Sequence, residues 1–147
     1  CGATPVFADV REDFNIDPAS IEERISSRTK AIVPMHYAGH MCDMDRIGAI
    51  ANKHNLIVIE DAAQAFGAEL RGGKAGSFSL AAALSMNPMK VLGGYGEAGV
   101  VVTNKKNEVL YLSRTKIPLE FKSHSKYFNK HLSIISFKPK SLIKFSF

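Results

Sequence analysis

Short apolar runs alternate with helix-like segments through the first 115 residues, and this alternation constrains the fold more than any other feature. Leu56–Glu60 (LIVIE) is a continuous apolar run that ends in acids, a pattern typical of a strand covered on both faces. Further strands are predicted at Thr4–Val10, Lys30–Met35, Ser79–Ser85 and Ala98–Thr103. Strands that alternate with helices build a layered, mostly parallel sheet. The sequence therefore predicts the α/β class.

Capping signals predict the helices between these strands. Asp17, which is followed by proline, is expected to cap a first helix, and Asp43 a second. Asn55 suits the left-handed residue that ends the second helix. Asn104 is expected to cap a last helix that continues to Leu112. After residue 114 the pattern breaks, so we divide the chain into a patterned region, 1–114, and an unassigned tail, 115–147.

The net charge of +5 belongs to the tail. Residues 1–115 carry 12 Lys and Arg against 13 Asp and Glu, whereas residues 116–147 carry 7 Lys against 1 Glu. A basic tail can bind nucleic acid or anionic lipid, but this one has no recognisable nucleic-acid motif. With no run of 18 apolar residues and no signal-peptide pattern, we expect neither a nucleic-acid partner nor a membrane partner, and a cytoplasmic location.

Cysteines and histidines raise the question of a metal site. Cys1 and Cys42 form no recognisable disulfide framework and are interpreted as free thiols. His36 and His40 lie four residues apart, with Cys42 and Asp43 close behind. That spacing brings two ligands together only on a helix, whereas this segment follows a strand and contains glycine. Structural or substrate-edge roles are favoured, and no metal is predicted.

Two positions are candidates for chemistry. Acids stand where LIVIE ends, and ligands of open α/β sheets bind beyond the carboxyl ends of the strands. From position alone, Asp61 is equally well explained as a ligand-binding carboxylate and as a cap. Ser85 ends the next strand, where its hydroxyl can be donated to an anion, and Lys90 lies in the Pro- and Gly-rich turn that follows. A lysine in such a place can be nucleophilic, but from position alone a surface lysine is the favoured explanation.

The order of motifs resembles the DegT/DnrJ/StrS-type sugar aminotransferases, which are fold-type-I pyridoxal-phosphate enzymes. The resemblance covers about residues 1–114 and rests on these segments in order: VFADV, FNIDP, TKAIVPMHYAGH, LIVIEDAAQAFGA, GSFS and LSMNPMKVLGGYGEAGVVVTN. The EDAAQ block together with the S-x-x-P-x-K block is the most specific part. The resemblance implies that the chain is part of the large domain of that fold.

Residue roles implied by the resemblance fall on five positions. Lys90 matches the lysine that forms the Schiff base with pyridoxal 5'-phosphate, and Asp61 matches the carboxylate that faces the pyridine nitrogen. Gln64 matches the glutamine near the phenolic oxygen, and Ala63 the small residue against the ring. Ser85 matches a hydroxyl that contacts the phosphate.

The implied activity is transfer of an amino group, with glutamate as the expected donor, to a nucleotide-linked keto-sugar. Related sugar dehydratases replace the lysine by histidine, and the presence of Lys90 favours transamination. Family members are longer and are expected to act as homodimers, so the phosphate-gripping turn, the ring cover and the small domain are expected outside these 147 residues. The alternative is a catalytically silent fragment that keeps the middle of the fold and carries a basic tail.

Overall fold

A five-stranded sheet forms the centre of the protein. The structure is a computed structural model that describes residues 2–94 and 98–103 and the backbone of residues 108–113. Within these residues the strands are β1 Ala31–Ile32, β2 Ile57–Asp61, β3 Glu69–Leu70, β4 Gly73–Lys74, β5 Ala81–Ser85, β6 Gly99–Thr103 and β7 Glu108–Ser113. The main sheet has the order β1-β2-β5-β6-β7, and β3 and β4 form a separate two-stranded hairpin.

The directions of the strands confirm the predicted fold class. Strand β2 pairs in parallel with β1 on one side and with β5 on the other. Strand β6 is antiparallel to both β5 and β7. Four of the five strands in this sheet therefore run in one direction, as a mostly parallel sheet requires.

Two helices begin at the predicted caps. Helix α1, Pro18–Arg24, follows Asp17, whose side chain accepts a hydrogen bond from the Ala19 amide. Helix α2, Met44–Lys53, follows Asp43, which accepts from the Arg46 amide at 3.2 Å. Asn55 has φ 53°, as expected of the left-handed residue after the helix. The helices pack their apolar faces on the sheet around Ile21, Ile32, Met44, Ile47, Ile50 and Ala51.

The two faces of β2 differ in burial. Successive side chains of a strand point to opposite faces. Val58 packs against the helix core and Glu60 is fully buried; we call this the covered face. Ile57 and Ile59, on the opposite side with Asp61, are 46% and 37% exposed; we call this the open face. Within the described residues, the cover expected on both faces of LIVIE is therefore present on one face only.

The strand predicted at Thr4–Val10 is wrong. This segment is extended but joins no sheet, and its only ladder contact within the described residues is an antiparallel bridge between Val10 and Ile16. Val6 and Phe7 are 67% and 83% exposed. A β-branched, apolar run becomes a strand only where a partner strand completes its hydrogen bonds, and the described residues place none beside it.

The helix predicted from Asn104 to Leu112 is also wrong. Residues Glu108–Ser113 form β7, which pairs with β6 in register from Thr103 opposite Glu108 to Gly99 opposite Ser113. A hairpin satisfies the backbone groups at the edge of β6, and this pairing outweighs the helical spacing of the apolar residues. Asn104 itself lies outside the described residues, as does the tail, so the boundary at residue 114 stays a prediction.

The described helices are short. None of them is long and apolar enough to cross a membrane.

Candidate active site

Three parallel strands end at the same edge of the sheet and bring the predicted residues to it. Asp61 is the last residue of β2 and Ser85 the last residue of β5. Met35, beyond the end of β1, forms a parallel bridge with Asp61. Asp61 lies opposite Ala83, two residues before Ser85, so alternation places Asp61 and Ser85 on the same face, the open face.

The Asp61 backbone is fixed from the neighbouring strand. Its amide donates to the Pro34 carbonyl at 2.8 Å, and its carbonyl accepts from the His36 amide at 3.1 Å. Its carboxylate accepts one hydrogen bond, from the Ala63 amide to Oδ1 at 3.1 Å. Among the described residues, Oδ2 has no partner. Asp61 thus caps the turn that follows and also presents an oxygen to the open face, and its ligand-binding role stays a prediction.

Gln64 is held by the turn that follows β1. Its Oε1 accepts from the Ala38 amide at 2.8 Å. Ala38 and Gly39 lie in a short 3-10 turn, Tyr37–Gly39, with φ 50° and 85°. A Cβ on Gly39 would lie 3.4 Å from the Gln64 carbonyl, so the turn packs closely on this segment. Among the described residues, the amide nitrogen of Gln64 forms no hydrogen bond, so the donor end of the side chain is unoccupied there.

Ala63 lies between these two polar residues. It is partly exposed, whereas its neighbours Ala62 and Ala65 are buried at 0% and 1%. The two buried alanines anchor the segment, and Ala63 presents a small apolar surface beside the Asp61 carboxylate.

A compact turn carries Lys90. Asn87 organises it: its carbonyl accepts from the Lys90 amide and its Oδ1 accepts from the Met89 amide, both at 2.9 Å. The Ser85 hydroxyl accepts from the Asn87 amide at 3.2 Å. Lys90 is partly buried, and no carboxylate of the described residues forms an ion pair with it. No hydrogen bond within the described residues joins Lys90 to Asp61, so the structure brings them to one edge without direct contact.

Glu60 lies behind the candidate site, on the covered face. Its carboxylate is fully buried and accepts hydrogen bonds from His36 Nε2 at 2.9 Å and from Ser79 Oγ at 2.7 Å. The amides of Gly76 and Phe78 donate two more, at 2.7 and 2.9 Å. Burial alone would raise the pKa of Glu60, but these hydrogen bonds hold it below its ordinary value of 4.5. Of the two acids at the end of LIVIE, strand alternation turns Glu60 inward and Asp61 to the open face.

The residues considered for a metal site use their ligand atoms within the protein. His36 Nδ1 accepts from the Cys42 amide at 3.2 Å, and Cys42 Sγ donates to the Met35 carbonyl at 3.1 Å. His40 lies apart, 66% exposed and 3.5 Å from Asp13 Oδ2. Within the described part of the chain, no cluster of three or more His, Cys, Asp and Glu is arranged to hold a metal ion. The ring nitrogens of His36 and the thiol of Cys42 are therefore engaged by partners within the protein.

Comparison with known proteins gives a single family. A sequence model of the DegT/DnrJ/EryC1/StrS aminotransferase family matches residues 1–132. The "Pleiotropic regulatory protein" of Geobacillus stearothermophilus is 51% identical over 104 residues. The dTDP-3-amino-3,4,6-trideoxy-alpha-D-glucose transaminase of Micromonospora megalomicea subsp. nigra is 47% identical over 116 residues. These matches cover 70% and 78% of this chain but only 28% and 31% of the relatives, so the chain spans about a third of their length or less.

A solved structure agrees with the sequence match. NtdA from Bacillus subtilis, solved with the bound cofactor PMP, superimposes with a TM-score of 0.64 at 39% identity. The match covers 72% of this chain and 24% of NtdA. A TM-score of this size at this identity indicates the same fold over the shared region.

Proposed function

The chain belongs to the DegT/DnrJ/EryC1/StrS aminotransferase family, and from this premise we propose that the protein that carries it is a pyridoxal-phosphate-dependent aminotransferase. Its substrate is a nucleotide-linked keto-sugar and its amino donor is glutamate. The similarity to a transaminase named for a dTDP-linked amino sugar supports this class of substrate. When bound, the cofactor supplies an electron sink for the carbon that loses a proton.

The placement of Asp61 is the observation that carries the proposal. Its carboxylate stands at the carboxyl end of β2 on the open face, with one oxygen used by the Ala63 amide and the other available. An anion at this position holds a proton on a buried ring nitrogen and thereby increases the electron demand of the ring. Both backbone hydrogen bonds of Asp61 go to the β1 segment, so the carboxylate is held in place before any ligand binds.

The neighbouring side chains fit the rest of the same cofactor. The donor end of the Gln64 amide suits a phenolic oxygen, because its acceptor end is occupied by Ala38. Ala63 is small enough for a flat ring to lie against it. Ser85, at the carboxyl end of the adjacent strand and on the same face as Asp61, supplies a hydroxyl for the phosphate.

Lys90 is the base of the proposed reaction and the covalent anchor of the cofactor. Its turn is fixed by Asn87 hydrogen bonds, which restrict where the amine can reach. An amine that moves a proton must lose its charge for part of the cycle. Lys90 therefore holds and moves the proton of the reacting carbon.

The proposal includes a homodimer and a cytoplasmic location. The open face beside Asp61 leaves Val33, Ile57 and Ile59 58%, 46% and 37% exposed among the described residues. Further parts of the protein or a second subunit would have to cover these side chains in a stable enzyme. Cys42 is a free thiol, which agrees with a reducing compartment.

The first half-reaction of amino transfer, from glutamate to the cofactor, tests the proposal. The gene product that carries residues 1–147 is incubated with pyridoxal phosphate and glutamate, and pyridoxamine phosphate and 2-oxoglutarate are measured in equal amounts. Asp61→Asn keeps the acceptor for the Ala63 amide but removes the charge, so we expect the rate to fall at least about 10²-fold. The matched control is Asp45→Asn, which removes an exposed carboxylate on α2.

Each outcome has a definite meaning. Near-normal turnover in Asp61→Asn would show that Asp61 serves only as the cap of the following turn. If the unaltered protein forms pyridoxamine phosphate no faster than free pyridoxal phosphate does with glutamate, the proposed aminotransferase activity is contradicted. The catalytically silent alternative is then favoured.

A further inference from the structure

A buried polar cluster lies directly behind Asp61, on the covered face. Glu60 and His36 form its centre, both 0% exposed, and their side chains are 2.9 Å apart. The cluster joins three segments of the chain: the residues after β1, the end of β2, and the loop of residues 76–79 that leads to β5. A buried carboxylate–imidazole pair is weak evidence for stability by itself, so its arrangement calls for another explanation.

The surroundings of Glu60 require a carboxylate at this position. All four of its partners are donors: His36 Nε2, Ser79 Oγ and the amides of Gly76 and Phe78. Each carboxylate oxygen accepts two of these bonds. A glutamine would place an NH2 group against two donors, which leaves buried groups unsatisfied.

His36 is fixed at both ring nitrogens. Nδ1 accepts from the Cys42 amide, so the proton lies on Nε2 and is donated to Glu60 Oε2. The His36 amide also donates to the Asp61 carbonyl at 3.1 Å. His36 therefore holds two consecutive residues of β2, Glu60 by its ring and Asp61 by its backbone.

The direction of Asp61 follows from this arrangement. Consecutive strand residues point to opposite faces, so a clamp on the Glu60 side chain sets the rotation of the strand at this step. Asp61 must then point to the open face, where Oδ1 meets the Ala63 amide. A small error in the position of a group that contacts the reacting atoms lowers the rate of the reaction. Residues that hold such a group in place are therefore part of a working site.

We propose that Glu60 and His36 are positioning residues that aim Asp61 at the pyridine nitrogen of the cofactor, an inference that rests on the function proposed above. Neither residue touches the cofactor, since both are buried on the other face of the sheet. The competing explanation is a purely structural anchor, which would affect folding but leave cofactor binding unchanged in the folded protein.

Two substitutions of His36 separate these explanations. An asparagine amide reaches about as far as Nδ1, so His36→Asn keeps the acceptor for the Cys42 amide and loses the donor to Glu60. A glutamine amide reaches about as far as Nε2, so His36→Gln keeps the donor to Glu60. Glu60→Gln removes the charge, and Glu69→Gln, at an exposed carboxylate paired with Lys74, is the matched control.

The measurements are the Kd of pyridoxal phosphate for the apo-protein, the absorbance spectrum of the bound cofactor, and the melting temperature. Protonation of the ring nitrogen alters that spectrum, so it reports on Asp61 directly. We expect Glu60→Gln and His36→Asn to raise the Kd at least about tenfold and to shift the spectrum toward that of Asp61→Asn. His36→Gln is expected to stay closer to the unaltered protein, and Glu69→Gln to match it.

A lowered melting temperature with unchanged Kd and spectrum in His36→Asn would overturn the inference and leave a structural anchor. The same conclusion follows if His36→Asn and His36→Gln have equal effects. If Glu60→Gln does not fold, the two His36 variants decide. Failure of the unaltered protein to bind pyridoxal phosphate would contradict the proposed function itself. If the unaltered protein binds the cofactor and the Glu60 and His36 variants show the same Kd and spectrum, this inference alone is contradicted.

Discussion

At the scale of single residues, the two adjacent acids at the end of β2 differ in orientation and burial. Glu60 points to the covered face and is fully buried, whereas Asp61 points to the open face and keeps one carboxylate oxygen available. Composition treats the two acids alike, whereas the family resemblance assigned a role to Asp61 alone. The alternation of a strand explains the difference, and it could be read from the sequence once the phase of the strand was fixed by a buried residue.

Glu60 gives the protein a predictable response to acid. Its pKa in the folded protein lies below its ordinary value of 4.5, so the unfolded chain binds the proton more readily. The stabilisation by the carboxylate is complete above that ordinary pKa and is lost as the pH falls through the folded pKa. We expect the urea midpoint to fall as the pH is lowered past the ordinary value of 4.5, and to fall less steeply in Glu60→Gln.

Glu22→Gln serves as the control for this prediction. The pKa of Glu22 is also lowered, by hydrogen bonds from Lys53 and His54, but Glu22 is exposed. Solvent screening should make its contribution small. An acid response that is unchanged in Glu60→Gln would show that other carboxylates dominate it.

Cys42 is expected to be chemically inert in the folded protein. Burial raises the pKa of its thiol from 9.0 to about 11, and the side chain is 0% exposed. The thiolate is the reactive form, so reaction with a disulfide reagent should be slow until the protein unfolds. The measurement uses Cys1→Ser, which leaves Cys42 as the single cysteine of residues 1–147, and peptide mapping locates the label. Stoichiometric labelling under native conditions would show that the segment around Cys42 opens readily.

At the scale of elements, local sequence signals predicted the features that depend on adjacent residues. They failed for features that depend on pairing between distant segments. The caps of α1 and α2, strands β2 and β5, and the left-handed Asn55 were all predicted. Each depends on a few adjacent residues. The unpaired segment at residues 4–10 and strand β7 were mispredicted, because membership of a sheet depends on which edge is free in the folded protein.

The cap of α2 allows a direct test of this view. Asp43 accepts a hydrogen bond from the Arg46 amide, and α2 supplies Met44, Ile47 and Ile50 to the core. Asp43→Ala is expected to lower the free energy of unfolding by about 1 kcal/mol. Asn52→Ala, at an exposed position of the same helix, is the control. Equal effects of the two substitutions in urea titrations would indicate that the cap contributes nothing specific.

At the scale of the whole molecule, the described residues form one covered face and one open face. The covered face carries the helices and the Glu60–His36 pair, and the open face carries Asp61 and Ser85 among exposed apolar side chains. The family resemblance predicted roles for the site residues from the sequence, and these roles stay predictions. The sequence did not give the support behind them, since Glu60, His36, Cys42 and Asn87 act through contacts between distant segments or through turn geometry.

The central claim is that Lys90 anchors pyridoxal phosphate in this protein, and borohydride trapping tests it most directly. The gene product that carries residues 1–147 is loaded with the cofactor, reduced with borohydride and mapped by peptide mass spectrometry. Our account predicts a stoichiometric phosphopyridoxyl group on Lys90, absent from Lys90→Ala and retained in Lys74→Ala, which alters an exposed lysine paired with Glu69. A stoichiometric reduced adduct that persists in Lys90→Ala, or that maps to another lysine in the unaltered protein, would contradict it.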